Sequence, residues 1–207
     1  MIDAVAMILA GGEARRLGGV DKPLIEIGGI PILSHILDRL RPAVSHVALS
    51  ANGDPERFMR FGLPVLEDRR IGIGPLAGLL RGLDWAAGHG AKVLLTVPGD
   101  TPFIPADLLR ALLPAPSVAV SDRRHHLVAS WPVAWRDRLA QHLDGLDPTA
   151  GRRAYGVLAF AGPLGMREVS FASDPIDPFF NVNTPEDRDR AETIFSARTS
   201  GRGQRPG

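Results

Sequence analysis

The residues with the clearest chemical potential lie in one loop near the start of the chain. The segment ILAGGEARRLGGVDKPL, residues 8–24, contains two glycine pairs and places Arg15, Arg16 and Lys22 around them. Backbone N–H groups of such a loop can approach phosphate oxygens, and the basic side chains can neutralise their charge. Ordering the glycines costs extra conformational entropy, which a bound anion would offset. The loop therefore indicates a phosphate-binding site, although a solvated surface turn has the same composition.

Two widespread phosphate-binding patterns do not describe this loop. A Walker A loop requires a serine or threonine directly after its lysine, whereas Lys22 lies between Asp21 and Pro23. A dinucleotide-binding fingerprint requires G-x-G-x-x-G, and the glycine pairs at 11–12 and 18–19 do not have that spacing. The phosphate interpretation consequently depends on the basic residues and the glycines, without the support of either motif.

The elements that would position this loop alternate between strand and helix. A short apolar run ending at a glycine pair is typical of a buried parallel strand, and apolar residues at helical spacing follow several prolines. This alternation predicts an α/β fold with a parallel sheet that is covered on both faces. The predicted strands are 5–9, 46–50, 64–66 and 93–97, and the predicted helices begin at Pro31, Pro75 and Pro105, the last of them running to Leu113.

Polar side chains follow three of these strands where each one ends. Asn52, Asp68 and Asp100 come shortly after the second, third and fourth strands, and the glycine loop follows the first. Ligands of open parallel sheets gather outside the carboxyl ends of the strands. We therefore expect these residues and the loop to lie at one edge of the sheet.

The second half of the chain has a less regular pattern. Strands are predicted at 117–121 and 127–130 around the polar turn 122–126, and helices at 136–143 and 152–160. A last helix is predicted over 185–195, with Thr184 as its cap and Asp187 at the capping-box position. From Ala197 the sequence is mostly Arg, Gly, Ser and Pro, which predicts disorder. The expected organisation is one domain over 1–196 with a tail over 197–207.

Composition excludes several classes of protein. The formal net charge of +1 over 207 residues gives no overall field for nucleic acid. The absence of cysteine excludes disulfides, zinc–thiolate sites and cysteine nucleophiles, and it fits a cytosolic protein. No signal peptide is visible, and no apolar run approaches the roughly 20 residues that a membrane helix requires. The six histidines lack the spacing of a metal site.

Four blocks of sequence together point to a family. The first comprises Leu9-Ala10-Gly11-Gly12, Arg15-Arg16-Leu17-Gly18 and Asp21-Lys22-Pro23-Leu24, and the others are Gly74-Pro75-Leu76-Ala77-Gly78, Pro98-Gly99-Asp100-Thr101-Pro102 and Asn181-Val182-Asn183-Thr184-Pro185-Glu186-Asp187. In this order they resemble the GT-A-type nucleotidyltransferases, and most closely the molybdenum cofactor guanylyltransferases. The resemblance extends to about Ser196. It implies a Rossmann-like three-layer fold with a mostly parallel central sheet.

The resemblance also implies a reaction and its participants. GMP would be transferred from GTP to the terminal phosphate of Mo-molybdopterin, which gives molybdopterin guanine dinucleotide and pyrophosphate. The acceptor phosphate is already an anion, so no general base is required, and the task is to position two anions with the help of cations and a metal. The expected metal is Mg²⁺, for which Mn²⁺ can substitute. Molybdenum-insertion proteins and acceptor molybdoenzymes are the expected protein partners, and neither nucleic acid nor membrane is expected.

The family's site residues are carried over position by position. A catalytic role is expected for Lys22, Arg16 and Asp100, and Asp100 is also the expected metal ligand because Mg²⁺ takes one or two carboxylates with phosphate oxygens. Ser50 stands where the family often has asparagine, and a serine side chain reaches less far. Arg152 and His125-His126 are further candidates for contacts to the acceptor. The GTP-binding set is Leu9, Ala10, Gly11, Gly12, Arg15, Lys22, Ser50, Asp68 and Asp100, and the molybdopterin-binding set is Asn181, Asn183 and Arg153. For the two asparagines, orientation of a metal-bound water is the alternative role.

Three alternatives remain open. A cytidylyltransferase of the same cofactor usually has Leu-Ala-Ala-Gly at 9–12 and lacks the block at 74–78, so both motifs favour guanine here. A sugar-phosphate nucleotidyltransferase would share Asp100 but would usually be longer. A non-catalytic nucleotide-binding regulator would be expected to have lost Lys22 or Asp100, and both are present.

Overall fold

A seven-stranded mixed sheet forms the centre of the molecule. The computed structural model describes residues 3–10, 21–67, 74–147, 152–174 and 176–202. Within these ranges the strands are β1 (Ala4–Leu9), β2 (Glu26–Ile27), β3 (Ile30–Pro31), β4 (Val47–Ser50), β5 (Val65–Leu66), β6 (Val93–Pro98), β7 (Ser117–Val120), β8 (Arg124–Pro132) and β9 (Arg167–Ser170). The α-helices are α1 (Ile32–Leu40), α2 (Pro75–Gly88), α3 (Leu108–Ala111), α4 (Arg136–Asp144), α5 (Val157–Ala161) and α6 (Pro185–Arg202).

The strand order is β5-β4-β1-β6-β8-β7-β9, and β2 pairs separately with β3. Strands β5, β4, β1 and β6 are mutually parallel, and β8 is antiparallel to its neighbours β6 and β7. Strand β9 is again parallel to β7. The predicted α/β fold with a mostly parallel central sheet is therefore confirmed.

Both faces of the sheet are covered, because β1 buries alternate side chains on opposite sides. Ala4, Ala6 and Ile8 belong to the core beneath α1 and α6, whereas Val5 and Met7 pack with α2, α4 and α5. Successive side chains of a strand point to opposite faces, so a strand that is apolar at every position has to lie between two layers. This confirms the three-layer arrangement.

The C-terminal helix begins as predicted but extends further. The Asp187 N–H donates to Thr184 Oγ1 at 3.2 Å, and the Thr184 N–H donates to Asp187 Oδ2 at 3.0 Å, which forms the predicted capping box. The helix runs to Arg202, so the prediction of disorder from Ala197 is wrong for the residues up to 202. A tertiary contact explains the extension, since the Arg198 guanidinium lies 4.8 Å from the centre of the Phe103 ring. Residues 203–207 lie outside the described ranges.

Several other boundaries also differ from prediction. The helix expected over 105–113 is limited to α3, and the expected turn over 122–126 is shorter, because β8 already begins at Arg124. The β2–β3 hairpin and β9 were not predicted, since two to four residues give little periodicity to read. In the described part of the chain, no helix is both long and apolar enough to cross a bilayer.

Candidate active site

Three parallel strands end side by side beside a large cleft. In the sheet register Leu9 lies opposite Ser50 of β4 and Pro98 of β6. The Ala10 N–H donates to the Ser50 carbonyl at 2.8 Å, and the Gly99 N–H donates to the Leu9 carbonyl at 2.9 Å. The cleft has a volume of about 680 Å³ and is lined by all five of these residues. This is the edge at which the sequence predicted a ligand.

Lys22 and Asp100 meet in this cleft. The Lys22 Nζ lies 3.0 Å from Asp100 Oδ2, and the two side chains are 22% and 15% exposed. The same ammonium group donates to Asn183 Oδ1, and the Asn181 side-chain amide donates to Asp100 Oδ1 at 2.6 Å. The structure thus joins one cation, one carboxylate and two amides, which we call the Lys22–Asp100 cluster. Sequence reasoning had assigned these residues to two different substrates.

The side chains of Asn181, Val182 and Asn183 point alternately to opposite sides of the chain, which explains how both asparagines reach the cluster. Val182 is fully buried in the core, so the residues on either side of it turn to the other side of the chain. The Val182 N–H donates to the Asp100 carbonyl at 2.9 Å, which ties the segment to the end of β6. The Asn183 N–H donates to Asp187 Oδ2 at 2.9 Å. The start of α6 therefore fixes the backbone that carries the Asn183 side chain.

The donor set of the cluster fits Mg²⁺ better than a transition metal. Asp100 supplies one carboxylate, and no group of three His, Asp or Glu side chains that could hold a metal occurs among the described residues. Mg²⁺ is commonly held by one or two carboxylates together with substrate phosphates. Asp100 beside a nucleotide-sized cleft is consistent with that pattern.

Gly99 lets Pro23, which directly follows Lys22, pack closely against the ends of β1 and β6. A Cβ built at Gly99 would lie 2.9 Å from a side-chain carbon of Pro23 and 3.3 Å from the Leu9 carbonyl oxygen. The first of these distances is shorter than real Cβ contacts allow. A side chain at position 99 would collide with Pro23, so the Pro98-Gly99-Asp100 block requires glycine there.

An arginine that sequence reasoning missed also lines the cleft. The Arg57 Nε lies 2.6 Å from Asp21 Oδ2, and its Nη2 donates to the Asn52 carbonyl at 2.6 Å. Its Nη1 donates to the Asp54 carbonyl, and its guanidinium lies 4.6 Å from the centre of the Phe58 ring. Asp21 directly precedes Lys22, so Arg57 links the lysine segment to the loop after β4. Because Arg57 and Asp21 are far apart in sequence, no local sequence pattern predicts their contact.

A second, smaller pocket of about 260 Å³ lies beside the first. Both pockets are lined by Pro98 and Leu127, and the second extends along the start of β8. Burial lowers the pKa of the His125 imidazole, although the Asp177 carboxylate opposes this, and burial also lowers the pKa of His126. Both imidazoles are thus held towards the neutral form. We call this space the β8 pocket.

The remaining predicted residues fall into three groups. Leu9, Ala10 and Ser50 line the cleft as expected. Arg153 is exposed on a 3₁₀ turn over Arg152–Tyr155, and it is not among the described residues that line either pocket. The predicted residues that lie outside the described ranges are Gly11, Gly12, Arg15, Arg16 and Asp68.

Comparison with known proteins shows the family to which this chain belongs. Residues 6–161 match the family described as the MobA-like NTP transferase domain. The chain belongs to this family. Among curated members, it is 54% identical over 189 residues to a protein of Acidiphilium cryptum named molybdenum cofactor guanylyltransferase, covering 90% of this chain and 93% of that one. A protein of the same name from Mesorhizobium japonicum is 44% identical over 208 residues, covering 96% and 99% of the two chains.

A solved structure agrees at the level of the fold. The Archaeoglobus fulgidus molybdopterin-guanine dinucleotide biosynthesis protein A has a TM-score of 0.67 to this chain at 22% identity, covering 94% of this chain and 99% of the other. The family match and the curated relatives confirm the resemblance that the four sequence blocks indicated. As a member of the MobA-like NTP transferase family, the chain is a nucleotidyltransferase, which excludes the non-catalytic alternative.

Proposed function

We propose that this enzyme transfers GMP from GTP to the terminal phosphate of Mo-molybdopterin and releases pyrophosphate. The observation that carries the proposal is the Lys22–Asp100 cluster, whose lysine and aspartate line the 680 Å³ cleft. A cleft of that volume is within the range of small-molecule sites. The names of the two curated relatives, molybdenum cofactor guanylyltransferase, support guanine as the base and a molybdenum cofactor as the acceptor.

The reaction is a phosphoryl-group substitution in which no proton has to be removed. An oxygen of the acceptor phosphate forms a bond to the α-phosphorus of GTP, and the bond from that phosphorus to the bridging oxygen breaks. The electron pair leaves with pyrophosphate. Because both reactants are anions, catalysis has to come from positioning and from opposing charge rather than from a general base.

Lys22 supplies that opposing charge within the cleft. Its ammonium group donates to Asp100 and Asn183 in this structure, and a triphosphate oxygen would be an additional acceptor. Three N–H donors let a lysine ammonium contact several oxygens at once. The partially buried position strengthens such contacts relative to bulk water.

Asp100 would hold Mg²⁺, which supplies positive charge to the phosphate oxygens when bound. Asn181 keeps one oxygen of this carboxylate oriented through its 2.6 Å hydrogen bond. We expect Asp100→Asn to lose most turnover in Mg²⁺ or Mn²⁺ while its melting temperature stays near that of the wild type. Full activity of Asp100→Asn at saturating Mg²⁺ would remove Asp100 from the metal site.

The decisive experiment compares nucleotides with one acceptor. The purified enzyme is incubated with Mg²⁺, Mo-molybdopterin and GTP, CTP or ATP in separate reactions, and pyrophosphate and the mass of the dinucleotide product are measured. We expect GTP to be preferred, because a site that pairs the polar edge of guanine rejects a base that leaves those groups unpaired, by a factor of up to about 10⁴. Preference for CTP would assign the protein to cytidylyl transfer. No product with any of the three would contradict the proposed acceptor.

A further inference from the structure

The two anionic substrates of the proposed reaction require two separate places beside Asp100. The strand β6 pairs with β8 only from Val93–Pro132 to Thr96–Ala129. The first residues of β8 therefore extend past the carboxyl end of β6, where they pair with β7 alone. This projecting hairpin forms one wall of the β8 pocket, next to the main cleft.

The lining of the β8 pocket is rich in basic side chains. Arg123, Arg124 and the two neighbouring histidines line it, and none of the described residues that line it is acidic. Arg124 is already paired with Glu168. The neighbouring Asp122 accepts a hydrogen bond from Ser173 at 2.6 Å and is not part of the lining. Arg123 is thus the cation that this pocket offers to a ligand.

Arg123 is connected directly to the Lys22–Asp100 cluster. Its Nη2 donates to Asn181 Oδ1 at 3.2 Å, and the Asn181 amide donates to Asp100 Oδ1 at 2.6 Å. On the other side of Asp100, Lys22 lines the main cleft. Asp100 is therefore paired directly with Lys22 and linked to Arg123 through Asn181, and each of these two cations lines a different pocket.

We infer that the β8 pocket binds the phosphate end of the acceptor substrate and that Arg123 is the residue that contacts it. The inference rests on the proposed function, and it assigns the phosphomonoester of the acceptor to this pocket. A guanidinium group matches a phosphate with two parallel N–H donors, which an ammonium group cannot do. An acceptor phosphate here lies next to Asp100, with the triphosphate and Lys22 across from it. The volume of 260 Å³ is below that of a site for a whole drug-sized ligand, so the rest of the acceptor extends out of the pocket.

Steady-state kinetics with both substrates varied test this inference. Arg123→Ala should raise the KM for Mo-molybdopterin on the order of tenfold or more, which corresponds to losing a charge-assisted hydrogen bond, and leave the KM for GTP unchanged. Arg123→Lys should recover part of the loss, because it restores charge without the paired donors. The matched control is Arg110→Ala, since Arg110 is 82% exposed on α3 and lines neither pocket.

Two outcomes would overturn the inference. If Arg123 only orients Asn181 beside Asp100, Arg123→Ala would lower kcat and leave the KM for the acceptor unchanged. A rise in the KM for GTP equal to that for the acceptor would likewise place Arg123 with the nucleotide. A wild-type enzyme that does not use Mo-molybdopterin at all would instead contradict the proposed function, so the two failures are distinguishable.

Discussion

Replacing Lys22 by alanine separates catalysis from folding. The ammonium group lies 3.0 Å from Asp100, and both side chains keep some contact with solvent. Ion pairs with solvent contact contribute at most about 1 kcal/mol to the free energy of unfolding. For a domain of this size, that corresponds to a fall in melting temperature of about 2–4 °C. Lys22→Ala should therefore remain folded under assay conditions.

The expected loss of activity is much larger. Removing one preorganised donor to the charge that develops in a transition state costs about 3–4 kcal/mol. At about 1.4 kcal/mol for each factor of ten, kcat/KM for GTP should fall on the order of 10²- to 10³-fold. Lys22→Met, which keeps an unbranched side chain, should behave in the same way if the positive charge is what matters.

The chain provides a matched control, because it contains only two lysines. Lys92 is 83% exposed and precedes the opposite end of β6, where its nearest carboxylate is Asp3 at 3.9 Å. Lys92→Ala should keep both activity and melting temperature. Amine-selective labelling mapped by mass spectrometry should show that GTP with Mg²⁺ protects Lys22 and not Lys92. A Lys22→Ala enzyme that melts normally and turns over like the wild type would refute the phosphate-binding role of this lysine.

Three further predictions concern the surroundings of the cluster. Gly99→Ala should lower kcat/KM by more than its loss of stability explains, because the new methyl group displaces Pro23. Equal activity of the variant and the wild type would contradict this. Arg57→Ala should raise the KM for GTP on the order of tenfold, equivalent to about 1.4 kcal/mol, by releasing Asp21, and an unchanged KM would show that the link is only structural. Burial lowers the pKa of His125 below its ordinary value of 6.5, so the unfolded chain takes up the proton first and stability should fall as the pH drops below about 6.5. Urea midpoints at neutral and mildly acidic pH should differ less for His125→Phe than for the wild type, and an equal difference would exclude His125 as a cause.

Local signals predicted most of the longer elements and brought Lys22 and Asp100 to one edge of the sheet. The apolar run of β1 predicted a strand buried on both faces, since a run without polar positions can only lie between two layers. Thr184 and Asp187 predicted the start of α6, because a capping box involves only residues three apart. Lys22 and Asp100 were predicted to lie in one site because both follow strands of a parallel sheet.

Tertiary packing decided which of these residues touch one another. Asn183 contacts the Lys22 ammonium across 161 positions of sequence, and Asn181 contacts Asp100 across 81, although the sequence had suggested the acceptor for both asparagines. The link between Arg57 and Asp21 likewise joins the segment after β4 to the residue that precedes Lys22. Such contacts depend on how the strand ends are brought together, which no periodicity within one segment encodes.

The length of α6 and the start of β8 also differ between what the sequence predicted and what tertiary packing decided. Composition predicted disorder from Ala197, but the contact of Arg198 with Phe103 stabilises another turn of the helix. The polar residues at the start of β8 predicted a turn, yet pairing of Val120 with Arg124 continues the ladder beyond β6. The sequence by itself thus determined the fold class, and it predicted which residues bind phosphate and metal. Only the tertiary structure linked Arg123 to Asp100 through Asn181, because the two hydrogen bonds require strand ends and the segment before α6 to meet at one edge.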